Sequence, residues 1–288
     1  MIFAFLSAVS FTLYFVFVRK SMIRERSLDS LNIQLILGPT SLVIFIIAIL
    51  ISWILGDCIL LEFRSMTFLA LMLLFAEGAL GPLVGLYFTN AAISYIGASR
   101  ASAFRGANPL FVTLSAMIFL KETPGYLGFI AILILAGGVA LISIRKELDK
   151  VQNAINIKGA LFAILSALSF SLSQTVRALA LQNGATPNSG IIVSQMSAFI
   201  MLIIFLVIKS RKLNIYHFIP KVNRTSILYC VIGSVFVLAG AYSLLVSFTY
   251  VPVWLAVAIR NTQPLIAIIV GWLMIGNSEQ IDLKLMIG

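Results

Sequence analysis

The stretch LSAVSFTL at residues 6–13 returns as LSALSFSL at residues 165–172, which lie 159 positions later. A second set of matches, each 155 positions apart, pairs Tyr87 with Tyr242, Arg105 with Arg260, and Pro109 with Pro264. Agreement at both ends of so long a unit is not expected by chance, so the chain contains an internal repeat. We expect the first copy to occupy residues 1–150 and the second copy to occupy residues 151–288.

The composition is that of a membrane protein. Hydrophobic residues make up 61% of the 288 residues, and charged residues only 10%. Such a chain has too little polar surface for a water-soluble globule, which indicates an all-α integral membrane protein. The formal net charge is +10, but the basic residues fall between apolar runs instead of on one face. That distribution is typical of a polytopic protein in a lipid bilayer and not of a nucleic-acid-binding protein.

Apolar runs of about 20 residues cross a bilayer as helices, because every backbone polar group must be satisfied internally. The sequence predicts nine such helices, at about 2–20, 32–55, 66–91, 97–119 and 124–144 in the first repeat and at about 158–181, 188–208, 226–249 and 252–275 in the second. Four prolines fall inside these helices and are expected to break or bend them: Pro39, Pro82, Pro109 and Pro264. The apolar start has no basic leader and no cleavage site, so we interpret it as the first transmembrane helix.

Five helices per repeat, an odd number, would insert the second copy in the opposite orientation. The distribution of charge supports this inversion. The connections at 19–26, 145–158 and 209–224 carry most of the basic residues, whereas the connections on the other side carry only Arg64 and Lys121. Connections rich in Lys and Arg are cytoplasmic. We therefore expect a multi-pass protein of the cell (inner) membrane, with these three connections inside and the N-terminus outside.

Two inverted five-helix repeats make a ten-helix bundle, but this sequence supplies about nine transmembrane helices. After Glu122 the first repeat continues with a complete fifth helix, whereas only residues 280–288 follow the corresponding Glu279. An unfilled position would leave a gap facing lipid. Either the protein itself has one span fewer or the sequence is a fragment that lacks helix 10, and we therefore expect the fragment.

Two stretches carry a family resemblance: GASRASAFRGANPLF at 97–111, which continues to FLKE at 119–122, and VPVWLAVAIRNTQP at 251–264. Together with the inverted repeats, they resemble the EamA-type members of the drug/metabolite transporter superfamily over essentially the whole chain. The resemblance implies secondary transport of small solutes, with efflux of amino acids or related metabolites as the first expectation. Two departures stand out. Asn261 follows Arg260 where many relatives carry an acid, and IGNSE at 275–279 is two residues longer than the Leu-Gly-Glu type of ending.

Arg105 and Arg260 are the main candidates for a solute-binding site. A charged side chain at the centre of a bilayer costs about 2.5–3.5 kcal/mol, so it persists only where it faces the protein interior or water. Each arginine lies one turn before a helix-breaking proline, Pro109 or Pro264, near the predicted interface of the repeats. Transporters with inverted repeats bind their solutes at such interfaces. The alternative is that both arginines only satisfy the carbonyls of broken helices or pair with Glu77.

Further side chains are assigned to the same cavity. Residues three apart share a helix face, so Asn108 and Gln263 would each present an amide beside an arginine. The other candidates are Ser10, Ser169, Tyr87 and Tyr242. For the serines the alternative is helix packing, and for the tyrosines it is the interfacial belt. The glycines of GPLVG at 81–85 are assigned to close helix packing.

Glu77 is the only acidic residue well inside a predicted helix, and its repeat counterpart is Ile232. It is interpreted as a counter-ion for Arg105 or Arg260, as a proton-coupling carboxylate, or as a residue in a wet vestibule. Arg177 lies near the predicted external end of helix 6, where we expect it to extend its charge to the interface.

These features predict a secondary transporter that works by alternating access. Paired guanidinium groups match carboxylate or phosphate, which favours an anionic or zwitterionic metabolite. The alternatives are uptake or exchange of a phosphorylated or nucleotide-linked solute, and a membrane protein that transports nothing. One histidine and one buried carboxylate are too few for an active site or a metal site, so we predict no enzyme activity, no catalytic residue, no metal and no cofactor. The oligomeric state is left open.

Overall fold

The computed structural model describes residues 1–25, 30–54, 59–85, 87–89, 91–92, 95, 108–145, 157–210, 223–263 and 266. The regular elements in these ranges are all helical. The α-helices, numbered in chain order, are α1 Ile2–Arg24, α2 Ser30–Ile54, α3 Phe68–Gly78, α4 Asn108–Phe119, α5 Tyr126–Arg145, α6 Ile157–Gln182, α7 Pro187–Ser210, α8 Arg224–Phe248 and α9 Val253–Arg260. Their numbers match those of the predicted transmembrane helices.

Within the described ranges, five stretches are long and apolar enough to cross a bilayer: Leu35–Ile54, Phe68–Thr89, Ile157–Gln182, Pro187–Ile208 and Arg224–Phe248. Side chains on their outer faces are largely apolar and exposed, as lipid contact requires. The regular structure of the described residues is therefore entirely helical, and the candidate spans are those of a multi-pass membrane protein. The count of nine spans and the inverted ten-helix arrangement stay predictions.

The third helix differs most from its prediction. The sequence predicts one helix over 66–91, but the α-helix ends at Gly78 and a π-helical segment follows at Ala79–Gly85. Pro82 lies inside this segment and has no N–H to continue the α-helical hydrogen bonds. Wide helical turns of this kind are frequent at functional sites. Before α3 there is also a 3-10 helix, Ile59–Ser65, that the sequence did not predict.

The second helix was also predicted to break or bend at Pro39, and the structure shows no break there. The α2 helix runs through Pro39 without interruption. The Thr40 hydroxyl donates to the Ile36 carbonyl at 2.6 Å, and the Ser41 hydroxyl donates to the Leu37 carbonyl at 2.5 Å. Hydroxyl groups next to the proline thus bond to carbonyls of the preceding turn.

The packing of the helices follows the repeat. The first helix of the first repeat, α1, packs along α8 and contacts α9, and the first helix of the second repeat, α6, packs along α3 and contacts α4. In the same way, α2 contacts α8, and its counterpart α7 contacts α3. If every helix is replaced by its counterpart in the other repeat, each of these contacts becomes another contact that the structure also shows. The two repeats are therefore joined by equivalent pairs of helices.

The equivalence extends to single hydrogen bonds. The Ser7 hydroxyl of α1 donates to the Gly240 carbonyl of α8 at 2.8 Å, and the Ser166 hydroxyl of α6 donates to the Gly85 carbonyl at 3.0 Å. The two serines are 159 positions apart and the two glycines 155 positions apart, which are the spacings of the sequence repeat. Gly81 and Gly85 both lie so close to α6 that a Cβ on either would clash, which confirms their assignment to packing.

At the end of the bundle that is predicted to be external, two carboxylates link the repeats. Glu122, just after α4, accepts hydrogen bonds from the Val253 backbone N–H at 3.0 and 2.9 Å, at the start of α9. Glu62, in the 3-10 helix, accepts from the Thr186 hydroxyl and, at 2.7 Å, from the Asn188 amide at the start of α7. A negative charge at a helix N-terminus is favourable, so both contacts stabilise this end.

Candidate solute-binding site

Arg260 lies at a contact between the two repeats. It is half-buried at the end of α9, and its guanidinium carbon is 4.2 Å from the centroid of the Phe11 ring, which belongs to α1. A guanidinium over an aromatic face is held by cation–π attraction, which is stronger where water is excluded. The Phe11 ring in turn lies against Gly240 of α8, where a Cβ would come within 2.8 and 3.0 Å of two ring atoms. The absence of a side chain at Gly240 therefore lets the ring lie beneath Arg260.

The other half of the bundle repeats this arrangement. Phe170, the counterpart of Phe11, lies against Gly85, the counterpart of Gly240, and a Cβ on Gly85 would be 2.9 Å from the ring. Arg105, the counterpart of Arg260, lies outside the described residues. Sequence reasoning had missed both phenylalanines, although both belong to the quoted repeat and could have been found from its spacing.

The two predicted amide residues are only partly defined. Asn108 is buried at the start of the described part of α4, and its Oδ1 atom has no hydrogen-bond partner among the described residues. Gln263 is half-buried, and its backbone carbonyl accepts from the Thr12 hydroxyl of α1 at 3.4 Å. Pro109 is buried as the second residue of α4, and Pro264 lies outside the described residues. Helix breaking at these two prolines stays a prediction.

The serine and tyrosine candidates have mixed surroundings. The Ser169 hydroxyl donates to the Leu80 carbonyl at 2.6 Å, so it bonds to the π-helical segment. Ser10 is buried in α1. Tyr87 and Tyr242 are 59% and 39% exposed, so neither is enclosed by the bundle. The assignment of all four to a solute cavity stays a prediction.

Glu77 forms a buried ion pair across the repeats. The Arg177 guanidinium of α6 donates to Glu77 Oε1 at 2.5 Å, and the Ser173 hydroxyl donates to the same oxygen at 2.8 Å. Both charged residues are buried. The expectation that Arg177 extends towards the interface is therefore wrong. It failed because α6 has Ser173 and Arg177 four residues apart on one face, which is turned towards α3.

The described part of the chain is thus a bundle of apolar helices with the buried Arg177 and the half-buried Arg260, and it brings together no group of His, Cys, Asp or Glu that could hold a metal. These features define a multi-pass α-helical membrane protein. The family model that matches is that of the EamA-like transporter family, over residues 1–144 and 157–288, and the chain belongs to this family. The resemblance seen in the sequence is confirmed, and the protein is a membrane transporter of small solutes. No curated protein matches the chain significantly.

Proposed function

We propose that the protein is a secondary carrier that exports amino acids or related carboxylate-bearing metabolites by alternating access. The observation that carries the proposal is the position of Arg260. It ends α9 in the second repeat, and its guanidinium lies on the Phe11 ring of the first repeat. A charged group held between two moving units can contact a solute in both of their arrangements.

The chemistry of this position favours an anionic group on the solute. A guanidinium presents a planar fork of N–H donors that matches a carboxylate or phosphate, and its contact with the Phe11 ring limits how Arg260 can move. A positive charge inside the bundle repels organic cations. Asn108 Oδ1, buried without a partner in the described ranges, is an acceptor for the ammonium group of a zwitterion.

The equivalent contacts between the repeats support the alternating mechanism. The pair α1 and α8 and the pair α6 and α3 carry matching serine-to-glycine hydrogen bonds of 2.8 and 3.0 Å. Two arrangements that exchange the roles of these pairs would have similar energies, which is the condition for a reversible transition. The direction of net export follows the family resemblance.

Solute counterflow in proteoliposomes tests this proposal. Purified protein is reconstituted with an unlabelled amino acid, an organic acid, a sugar phosphate or an organic cation inside, and uptake of the radiolabelled form is followed. We expect exchange of the carboxylate solutes and none of the cation. Exchange of the phosphorylated solute alone would support the alternative substrate class. Failure of every solute to exchange, by protein that is folded in the membrane, would contradict a carrier of this kind.

A further inference from the structure

The buried pair of Glu77 and Arg177 interrupts the equivalence of the two repeats. By the repeat spacings of 155 and 159, the counterpart of Glu77 is Ile232 and that of Arg177 is Val18. The contact between α3 and α6 thus carries two opposite charges where the contact between α1 and α8 carries two aliphatic side chains. Packing alone does not require the charges, because the second contact is made without them.

The backbone differs at the same place. The π-helical segment Ala79–Gly85 begins two residues after Glu77, whereas its counterpart at 234–240 lies within the continuous α-helix α8. Ser169 of α6 donates to the Leu80 carbonyl in this segment. The irregular backbone and the ion pair thus meet one face of α6. Such irregular turns are frequent at functional sites.

Three atoms around the pair have unused hydrogen-bonding capacity. Glu77 Oε2, Arg177 Nε and Gln174 Oε1 are buried and have no hydrogen-bond partner among the described residues. Buried polar atoms without partners are rare in folded proteins, and each calls for an explanation. Within the described ranges, Arg177 and Ser173 both bond to one oxygen of the Glu77 carboxylate, Oε1. The other oxygen is available to a further donor.

Among the residues that the structure describes, few charged groups lie near Glu77. Of the described α-helices, α6 and α7 pack against α3. The polar residues of α6 in this region are Ser173, Gln174 and Arg177. The polar residues of α7 in this region are Ser194 and Ser197, and the Ser197 hydroxyl donates to the Phe75 carbonyl at 2.6 Å. Within the described ranges, Arg177 is therefore the charged group that faces Glu77 from these helices.

We propose that Glu77 is a proton-binding site of the transport cycle, occupied when α3 and α6 separate. In the arrangement described here the carboxylate has Arg177 as its counter-ion. When the two repeats move apart, Arg177 is withdrawn, and a carboxylate left alone in an apolar interior is far less stable than the neutral acid. Glu77 then takes one proton from water, forming an O–H bond. It returns that proton to water when Arg177 comes back. The inference rests on the proposed carrier function.

A double variant tests the inference better than a single one, because a single substitution leaves one buried charge unpaired. Glu77→Gln with Arg177→Gln removes both charges and keeps polar side chains at both positions. Glu62→Gln is the matched control, since its carboxylate binds Thr186 and Asn188 outside α3. Proteoliposomes loaded with a pH-sensitive dye report proton movement when a solute gradient is applied, and counterflow is measured on the same preparations.

We expect the wild type and Glu62→Gln to move protons with the solute, and the double variant to keep counterflow while losing solute-driven proton movement. Counterflow without proton movement in the wild type would overturn the inference and leave the carrier function intact. Proton movement that persists in the double variant would also overturn it and make the pair purely structural. An absence of counterflow in the wild type would overturn both proposals.

A second measurement uses the unmodified protein and does not depend on the variants folding. Hydrophobic carbodiimides react with protonated carboxyl groups in apolar surroundings. Mass spectrometry of the peptide that contains Glu77 should show modification that increases during turnover with a transported solute. Equal modification with and without that solute, or none, would contradict proton binding at Glu77 during the cycle.

Discussion

At the scale of single residues, the position of the Phe11 ring depends on Gly240. A Cβ at this position would lie 2.8 Å from one ring atom, and the Arg260 guanidinium lies over the same ring. We expect Gly240→Ala to destabilise the protein by about 1–3 kcal/mol, the usual cost of overpacking, and to reduce transport because Arg260 moves with the ring. Unfolding in detergent and counterflow measure the two effects.

Gly137→Ala is the matched control for this substitution. Gly137 lies in α5, and an added Cβ there meets nothing within 4 Å in the described part of the chain. Alanine is also the better helix former, so the control should be neutral or slightly stabilising. A Gly240→Ala protein that matches this control in stability and in transport would contradict the role assigned to Phe11.

At the scale of elements, the start of α9 depends on Glu122. This carboxylate accepts from the Val253 N–H at 3.0 and 2.9 Å and lies 3.5 Å from the Trp254 backbone nitrogen. We expect Glu122→Ala to lower the free energy of unfolding by about 0.5–2 kcal/mol, as the loss of other helix caps does. The exposed neighbour Thr123 supplies the control, Thr123→Ala. Equal stability of the two variants would show that the cap contributes nothing.

The α3 helix shows how far the sequence predicts an element. Its apolar run predicts a helix, and Pro82 predicts an irregularity, but neither predicts a π-helical segment in place of a break. The outcome depends on α6, whose Ser169 hydroxyl bonds to the Leu80 carbonyl. At Pro39 the same kind of signal led to a continuous helix, because neighbouring hydroxyls bond to nearby carbonyls. A proline in the sequence predicts where such a feature falls, but its form depends on the hydrogen bonds that form around it.

At the scale of the whole molecule, orientation in the membrane is a separate prediction. Thr123 lies at the end of the bundle predicted to be external, and Asn223 lies in the basic connection 209–224. In a background with Cys58→Ser and Cys230→Ser, we expect a membrane-impermeant maleimide to label Thr123→Cys in intact cells and Asn223→Cys only after permeabilisation. The reverse pattern would invert the topology, and labelling of both from outside would contradict the span count between them.

The repeat is also the part of the whole fold that the sequence predicts best. Applied to Ser7 and Ser166, its spacing leads to a pair of equivalent hydrogen bonds in the structure. The ion pair of Glu77 and Arg177 could not be found in this way, because it departs from the repeat and its partners are 100 positions apart. Features that both copies share can be found in a single sequence by comparing the copies. A feature that only one copy has can be recognised only from the three-dimensional packing.

The measurement that tests the central claim most directly is counterflow of a carboxylate solute by Arg260→Gln. Arg64→Gln is the control, because Arg64 is exposed in the 3-10 helix. Loss of charge-assisted hydrogen bonds worth about 1.5–3 kcal/mol predicts a fall of about 10-fold to 100-fold in apparent affinity for Arg260→Gln and no change for the control. An Arg260→Gln protein that transports the solute with wild-type affinity would contradict the placing of Arg260 in the solute path.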